Sequence, residues 1–538
     1  MRSVGKRPRF DGDRPSTFPP LSYLLTKQPC LELRDRLNPM RLPDDYLFYQ
    51  SNDLRVASSE SRIENRNAFV LVAGLMIDTN IQTTDLHSIC CALCEKLLIS
   101  YEHFLEYADS ISGRYIILYR GVDCSELSII NDATGMMKVL YCQQTHAVSS
   151  NIFLIRDYAQ INKSQKHPLF INKRPFWKFG TIGDLQPLEG IKTLTANHAL
   201  TLNSHTISRI FPRTELCRKE PQSVFKSLMN DFYSQLLLLR SNYSLLCSIT
   251  SGIDSRVSMS LLMSSPSNND LFFTYLFQDK QKIDSIFAGH IANKYDIKHV
   301  LLKRDGVTSG SEYIGNKSIT LNDAFFKDRL MDKIKYWDWY NHGYENAFSY
   351  AKSLVPIALE HNQTLTPLHI RSNLYEIGRV YWGKNTGEIF DVSEILPKSR
   401  KDWAGDLTVA SIFAEYFDRM DYQSCSRMGY NLLDIFYWEH RCATWVAEVL
   451  QGTDFAFNTH VFLNSRKNID NLLSIGFDGR RNAVVYHRMI AEWFAELDQY
   501  PVNPKTFSFD QPGQRQWWHG TRLGGLWPLK NIWPERTR

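Results

Sequence analysis

The heptapeptide Thr250-Ser251-Gly252-Ile253-Asp254-Ser255-Arg256 sits where a short apolar run, Leu245 to Ile249, gives way to the helix-like VSMSLLM. A turn of small residues at such a junction lets backbone N–H groups converge on an anionic oxygen, and the positive end of the following helix dipole favours the anion. Ser and Thr hydroxyls add donors in little space. That chemistry is phosphate binding, with all seven residues as candidates. Asp254 would repel phosphate unless it also held a divalent cation, and Mg²⁺ takes carboxylate and phosphate oxygens together. Asp254 is therefore the expected metal ligand. The plainer reading is a strand-to-helix turn in which Ser and Asp only cap the helix.

The surrounding pattern favours the ligand site. Val224, Leu228, Phe232 and Leu236 step by four, as the buried stripe of a helix does, ahead of the Leu245 to Ile249 strand. After the turn and its helix come a strand at Leu271 to Phe277, a helix with Ile283, Phe287 and Ile291 in line, and a strand at His299 to Leu302. Strand, helix, strand, helix, strand predicts a doubly wound α/β sheet, with the turn at the carboxyl ends of the strands where ligands bind. Ahead of it the texture differs: the runs FVLVAGLMI, GRYIILYR and ELSIIND, separated by polar turns, predict an antiparallel β-sheet domain. Beyond residue 320 the chain reads as mainly helical, with aromatic segments such as KIKYWDWYNHGYENAFSYAKSL.

In 538 residues, 43% are hydrophobic and 22% charged, which suits two or three domains with their own cores. The net charge of +5 is spread along the chain and asks for no nucleic-acid partner. Ala68 to Ile77, the longest apolar stretch, is about half of what a membrane helix needs. No membrane association is expected, and a cytoplasmic location follows by default. Cys90, Cys91 and Cys94 recur at helical spacing with no second Cys/His pair in reach, so a helix face is favoured over zinc. Residues 1–45, rich in Pro, Arg and Lys, read as an extension, disordered or wrapped on another domain. Residues 506–538 form a tail in which Trp517, Trp518, Trp527 and Trp533 predict pinning by aromatic burial.

The loop SITSGIDSR resembles the SGGxDS pyrophosphate loop of the N-type ATP pyrophosphatases, and its flanks resemble the asparagine synthetase family, which includes β-lactam synthetases and lasso-peptide cyclases. DSIFAGHIANKYDIKHVLL, FYWEHR and FLNSRKNIDNLL resemble later segments of that family's synthetase domain. In the N-terminal half, SGRYIILYRGVDCSELSIINDATGMMKVLYC and LEGIKTLTANHALTL resemble its glutaminase-type, Ntn-hydrolase-like domain. The resemblance implies an Ntn-like β-sheet domain over 46–217 and an ATP pyrophosphatase domain over 218–505, with ATP and Mg²⁺ as cofactors.

The departures from the family shape the expectation. Arg2 stands where the glutaminase cysteine would be, so glutamine is not the expected nitrogen source. Thr250 and Ser251 replace the loop's first Ser and Gly. The second acidic loop is matched by IRSNLYEIGRVYW, which aligns Glu376 with the second acid and puts Tyr375 where the metal-binding Asp belongs. Arg379 is a candidate for phosphate or a substrate carboxylate. Glu439 is a candidate base on an attacking amine, with a buried structural ion pair as the alternative for both. Arg480, Arg481 and Arg488 lie where the family has a Lys, and His299 reads as a packed residue. The implied activity joins a small-molecule or peptide carboxylate, activated as an acyl-adenylate, to an amine. Ammonia-dependent asparagine synthesis, sugar-acid amidation, or nucleotide binding without turnover are the alternatives.

Overall fold

The computed structural model describes residues 20–30, 33, 37–63, 66–121, 124–159, 180–276, 278–304, 317–321, 365–454 and 456–504. Two antiparallel sheets build the N-terminal part. Their strands are β1 (Tyr23–Thr26), β2 (Asn38–Arg41), β3 (Leu47–Gln50), β4 (Val56–Ile63), β5 (Arg66–Ile77), β6 (Ser112–Gly121), β7 (Cys124–Asn131), β8 (Leu140–Cys142), β9 (Ala147–Ser149), β10 (Ile191–Thr193), β11 (His198–Thr201) and β12 (Ile207–Arg209). One sheet has the order β10-β8-β9-β1-β3-β2 and the other β12-β11-β7-β6-β5-β4.

The long apolar run Ala68 to Ile77 falls on β5, which is covered on both faces. Leu71 and Ala73 join Leu25 and Phe48 between the two sheets, while Val70 and Val72 pack under α1 (Leu86–Ile99) and α2 (Tyr101–Ser110). Period-two alternation sends side chains to opposite faces, so a strand buried on both reads as an unbroken hydrophobic run. On α1, the thiols of Cys90 and Cys94 are buried and donate to the Val70 and Ala68 carbonyls of β5.

This sheet system reaches into the segment read as an extension. β1 pairs with both β3 and β9, and Tyr23, Leu24 and Leu25 are fully buried. The apolar cluster at Leu21 to Leu25 is a strand, and the Pro-rich residues before it disguised it. The Trp-rich tail and the aromatic segment around 333–354 lie outside the described residues.

The C-terminal part is built on a parallel sheet. After α3 (Ile152–Ala159), α4 (Pro221–Arg240) carries the Val224, Leu228, Phe232, Leu236 stripe into the core and leads to β13 (Tyr243–Ser248). Then follow α5 (Ile253–Ser264), β14 (Leu271–Leu276), α6 (Lys282–Lys294), β15 (His299–Arg304), β16 (Lys317–Leu321), β17 (Thr366–Ile370) and β18 (Asn458–His460). The order is β16-β15-β14-β13-β17-β18, with every pair parallel. From β13 the chain steps outward through β14, β15 and β16, then returns to lay β17 on the other side of β13. That reversal opens a crevice between the carboxyl ends of β13 and β17.

A helical run joins the two parts: Leu432–Phe436, then Tyr437–Val446 with π-helical bonding, then Ala447–Thr453. Gly135, in the left-handed region at φ +67°, lies so close to this run that a Cβ there would stand 2.9 Å from the Ala443 Cβ. The indole N–H of Trp438 donates to the Ala133 carbonyl at 2.6 Å. Buried ion pairs complete the seam. Arg114 makes a two-pronged contact with Asp454 at 2.5 and 2.8 Å, and Lys138 meets Glu448.

Candidate functional site

The loop Thr250–Arg256 leaves the end of β13, and the segment 371–379 leaves the end of β17, so the two candidate regions meet at the reversal of strand order. The loop is held by its own short side chains. The Ser255 hydroxyl accepts the Thr250 N–H at 3.0 Å, and the Thr250 hydroxyl accepts the Gly252 N–H at 3.2 Å. The N–H and the hydroxyl of Ser251 both donate to one oxygen of Asp284, in the first turn of α6, at 2.8 Å. Gly252 is the N-cap of α5 and brings no side chain to it, so the first-turn amides carry no side-chain cap. Ser251 is not among the residues with positive φ, and its replacement of glycine costs no backbone strain.

The second segment is backbone-strained. Leu374 has φ 80° and Val380 has φ 50°, ψ 52°, left-handed values that cost a branched residue about 1–2 kcal/mol each. Between them, Tyr375 turns into the core. Its hydroxyl lies 3.3 Å from that of Ser258, and its carbonyl accepts the Tyr486 hydroxyl at 2.9 Å. Tyr486 also fills the space a side chain at Gly378 would need. These contacts carry Glu376 and Arg379 to the loop.

Arg379 donates to Asp254 Oδ2 at 2.6 Å. The other oxygen of Asp254, Oδ1, is buried without a hydrogen-bond partner among the described residues, as are Glu376 Oε2 and Arg379 Nε. Asp254 is raised from the usual carboxylate range to about 7, first by burial and then by the Glu376 charge, against the opposing pull of Arg379. Buried acceptors with no donor, beside a mutual like charge, are what a bound cation would satisfy.

Asp254, Glu376, Arg379 and the loop are thus brought together, and two of the sequence candidates are not. Glu439 is fully buried in a two-pronged pair with Arg209 of β12, at 2.5 and 3.1 Å, and also accepts from Asn197 at 3.2 Å. Both its oxygens are committed to the N-terminal part, which removes it as a base. Arg256 spends its guanidinium on the carbonyls of Ser251, Leu497, Tyr500 and Pro501 and lies 4.9 Å over the Phe287 ring. It clamps the 497–501 segment onto the loop instead of facing a phosphate.

Arg480 pairs with Asp434 and Glu388, and Arg488 lies over Phe225. Neither supplies the family's lysine. His299 is buried on Thr274, and burial pushes its imidazole down to about 3. Asp284 is the contributor that residue-level reasoning missed. Its signal was its place opening the DSIFAGHIANK segment.

No protein-family model matches the chain, and no curated protein matches it. Among solved structures, it is similar to a glutamine phosphoribosylpyrophosphate (PRPP) amidotransferase from B. subtilis complexed with ADP and GMP. Identity is 10% and the TM-score 0.22, over 57% of this chain and 64% of that one. The chain thus spans just under two thirds of that protein's length, and a likeness of this size says nothing of activity. Among the described residues, no helix is long and apolar enough to cross a membrane.

Proposed function

We propose that the chain is an ATP-dependent carbon–nitrogen ligase of the asparagine synthetase type, forming an amide with release of AMP and pyrophosphate. The observation that carries this reading is the meeting of Asp254, Glu376 and Arg379 with an uncapped helix N-terminus at the crevice between β13 and β17. Asp254 Oδ1 and Glu376 Oε2 fit a Mg²⁺ ion. They are hard oxygen donors, and both are buried without a donor among the described residues. Such an ion would offset the charge on the phosphates.

The chain's own groups have separable roles in this account. The first-turn amides of α5 bind the departing pyrophosphate, and Arg379 stabilises charge on the phosphoryl oxygens. The substrate carboxylate oxygen bonds to the α-phosphorus as the bond to pyrophosphate breaks. The amine nitrogen then bonds to the acyl carbon, AMP departs with the electrons of the carbon–oxygen bond, and the amine gives up one proton. The N-terminal part is read as an Ntn-type domain used as scaffold, docked against the C-terminal part through the Arg114–Asp454 and Lys138–Glu448 pairs.

Product analysis tests the reading. With ATP, Mg²⁺ and a panel of amino acids, uronic acids and peptides as acids and amines, one pair should yield equimolar AMP and pyrophosphate. ADP and phosphate as products would contradict it. A second reading, nucleotide binding without turnover, is favoured by the burial of Tyr375 in the core and the commitment of Ser251 to Asp284. It predicts retained nucleotide and no pyrophosphate with any pair.

A further inference from the structure

Asp284 places a carboxylate against the loop that the proposed function assigns to phosphate. One of its oxygens takes both the N–H and the hydroxyl of Ser251 at 2.8 Å, the donor set that would otherwise hold a phosphate oxygen. Ser251 stands where the resembling loops carry glycine, and its hydroxyl is what makes the contact two-pronged. The loop cannot simply swing away, because the Ser251 carbonyl is held from behind by Arg256 at 2.8 Å and by the Asn503 N–H at 3.1 Å. No cation pairs with Asp284 among the described residues; its neighbour Lys282 pairs with Asp279 instead. A nucleotide seated on the loop would meet the Asp284 carboxylate at Ser251 as well as Asp254 and Glu376, with Arg379 already engaged by Asp254.

We infer that Asp284 is a specificity-determining residue that makes the loop reject a bare polyphosphate and accept a triphosphate only as its divalent-cation complex. The inference rests on the ATP reading. The physical cause is like-charge repulsion at close range, which falls steeply when a metal cancels charge on the phosphates. Asp284 touches the loop and not the reacting atoms, so it acts as a positioning and sorting group.

The test is ATP binding by calorimetry to the full chain, once in MgCl2 and once in EDTA, with Asp284→Asn and Asp284→Ser beside the wild type. Asparagine keeps an oxygen that can accept from Ser251 and loses only the charge; serine is the second neutral variant, should asparagine fold poorly. Wild type should bind ATP far more weakly in EDTA than in MgCl2. Asp284→Asn should tighten the EDTA affinity by about tenfold, the effect of one like charge near a half-buried site, and leave the MgCl2 affinity within about twofold. An unchanged ratio of the two affinities, or equal weakening of both, overturns the inference and makes Asp284 a buttress. Failure of every form, wild type included, to bind ATP in MgCl2 sinks the ATP reading itself and the inference with it.

Discussion

Two sets of buried charges in this molecule are built on opposite plans. At the seam between the parts, Arg114 with Asp454, Lys138 with Glu448, and Arg209 with Glu439 are matched cation to anion, two of them through both prongs of a guanidinium. At the crevice, Arg379 pairs with Asp254 through one oxygen, Glu376 adds a second carboxylate charge beside them, and Asp254 Oδ1 and Glu376 Oε2 accept nothing among the described residues. A seam charge is costly to bury but its partner offsets the cost, so the set fixes how the parts sit together. The crevice keeps its mismatch, as sites that wait for a ligand do.

The comparison is broken most sharply at the seam. Glu439→Ala leaves the Arg209 guanidinium buried and unpaired, and should lower stability by about 3–5 kcal/mol. Replacing the pair together, Arg209→Met with Glu439→Leu, should recover most of that loss. Denaturant titration reads both. If Glu439→Ala instead abolishes activity at unchanged stability, the two sets are not distinct.

At the crevice the expected sign reverses. Asp254→Asn should leave stability at neutral pH unchanged or higher by up to about 1 kcal/mol while abolishing turnover, since a charge disfavoured by its own surroundings is removed. The pH dependence follows from the same shift. The carboxyl of Asp254 is raised to about 7 in the fold, so its contribution to stability is full below the ordinary carboxylate value of 3.8 and is lost as pH rises through about 7. Between about pH 5 and about pH 8, wild type should therefore lose stability relative to Asp254→Asn. Mg²⁺-dependent nucleotide binding should rise over the same window as the ligand ionises. Parallel melting curves and calorimetry across that range check both slopes; a binding profile centred near pH 4 would mean that Asp254 is not raised in the fold.

The smallest effect belongs to backbone strain. Val380→Gly relieves about 1 kcal/mol of left-handed strain but empties the space of a fully buried side chain, so it should lower stability by a net of about 1–2 kcal/mol and lower kcat by loosening the placement of Glu376 and Arg379. A loss of stability with full activity would mean that the conformation is packing and not part of the site.

What was legible in the sequence depended on how local the cause was. The strands β13, β14 and β15, and the loop between Leu245 and the helix after it, follow from runs of side chains that see only their own element, whereas β17 and β18 are short strands inside the stretch beyond residue 320 that reads as mainly helical. The meeting of Asp254 with Glu376 and Arg379 was reached through resemblance, since no periodicity links residues more than a hundred positions apart. Glu439 was legible as a buried charge, with a structural ion pair as the alternative to a base, but its partner was not, because Arg209 lies 230 positions earlier on the edge strand β12. Arg256 misled for the same reason: its acceptors are backbone carbonyls at 497–501, which leave no mark in side-chain pattern. Tyr23 to Thr26 were hidden by the prolines before them, although their apolar character was plain.

The most direct test of the central claim is exchange of labelled pyrophosphate into ATP, with each candidate carboxylate added singly and no amine present. The account predicts exchange that requires Mg²⁺ and one carboxylate and vanishes in Asp254→Ala, because only reversible acyl-adenylate formation returns label to ATP. Binding of ATP without exchange for any carboxylate, or exchange that survives Asp254→Ala, would contradict it.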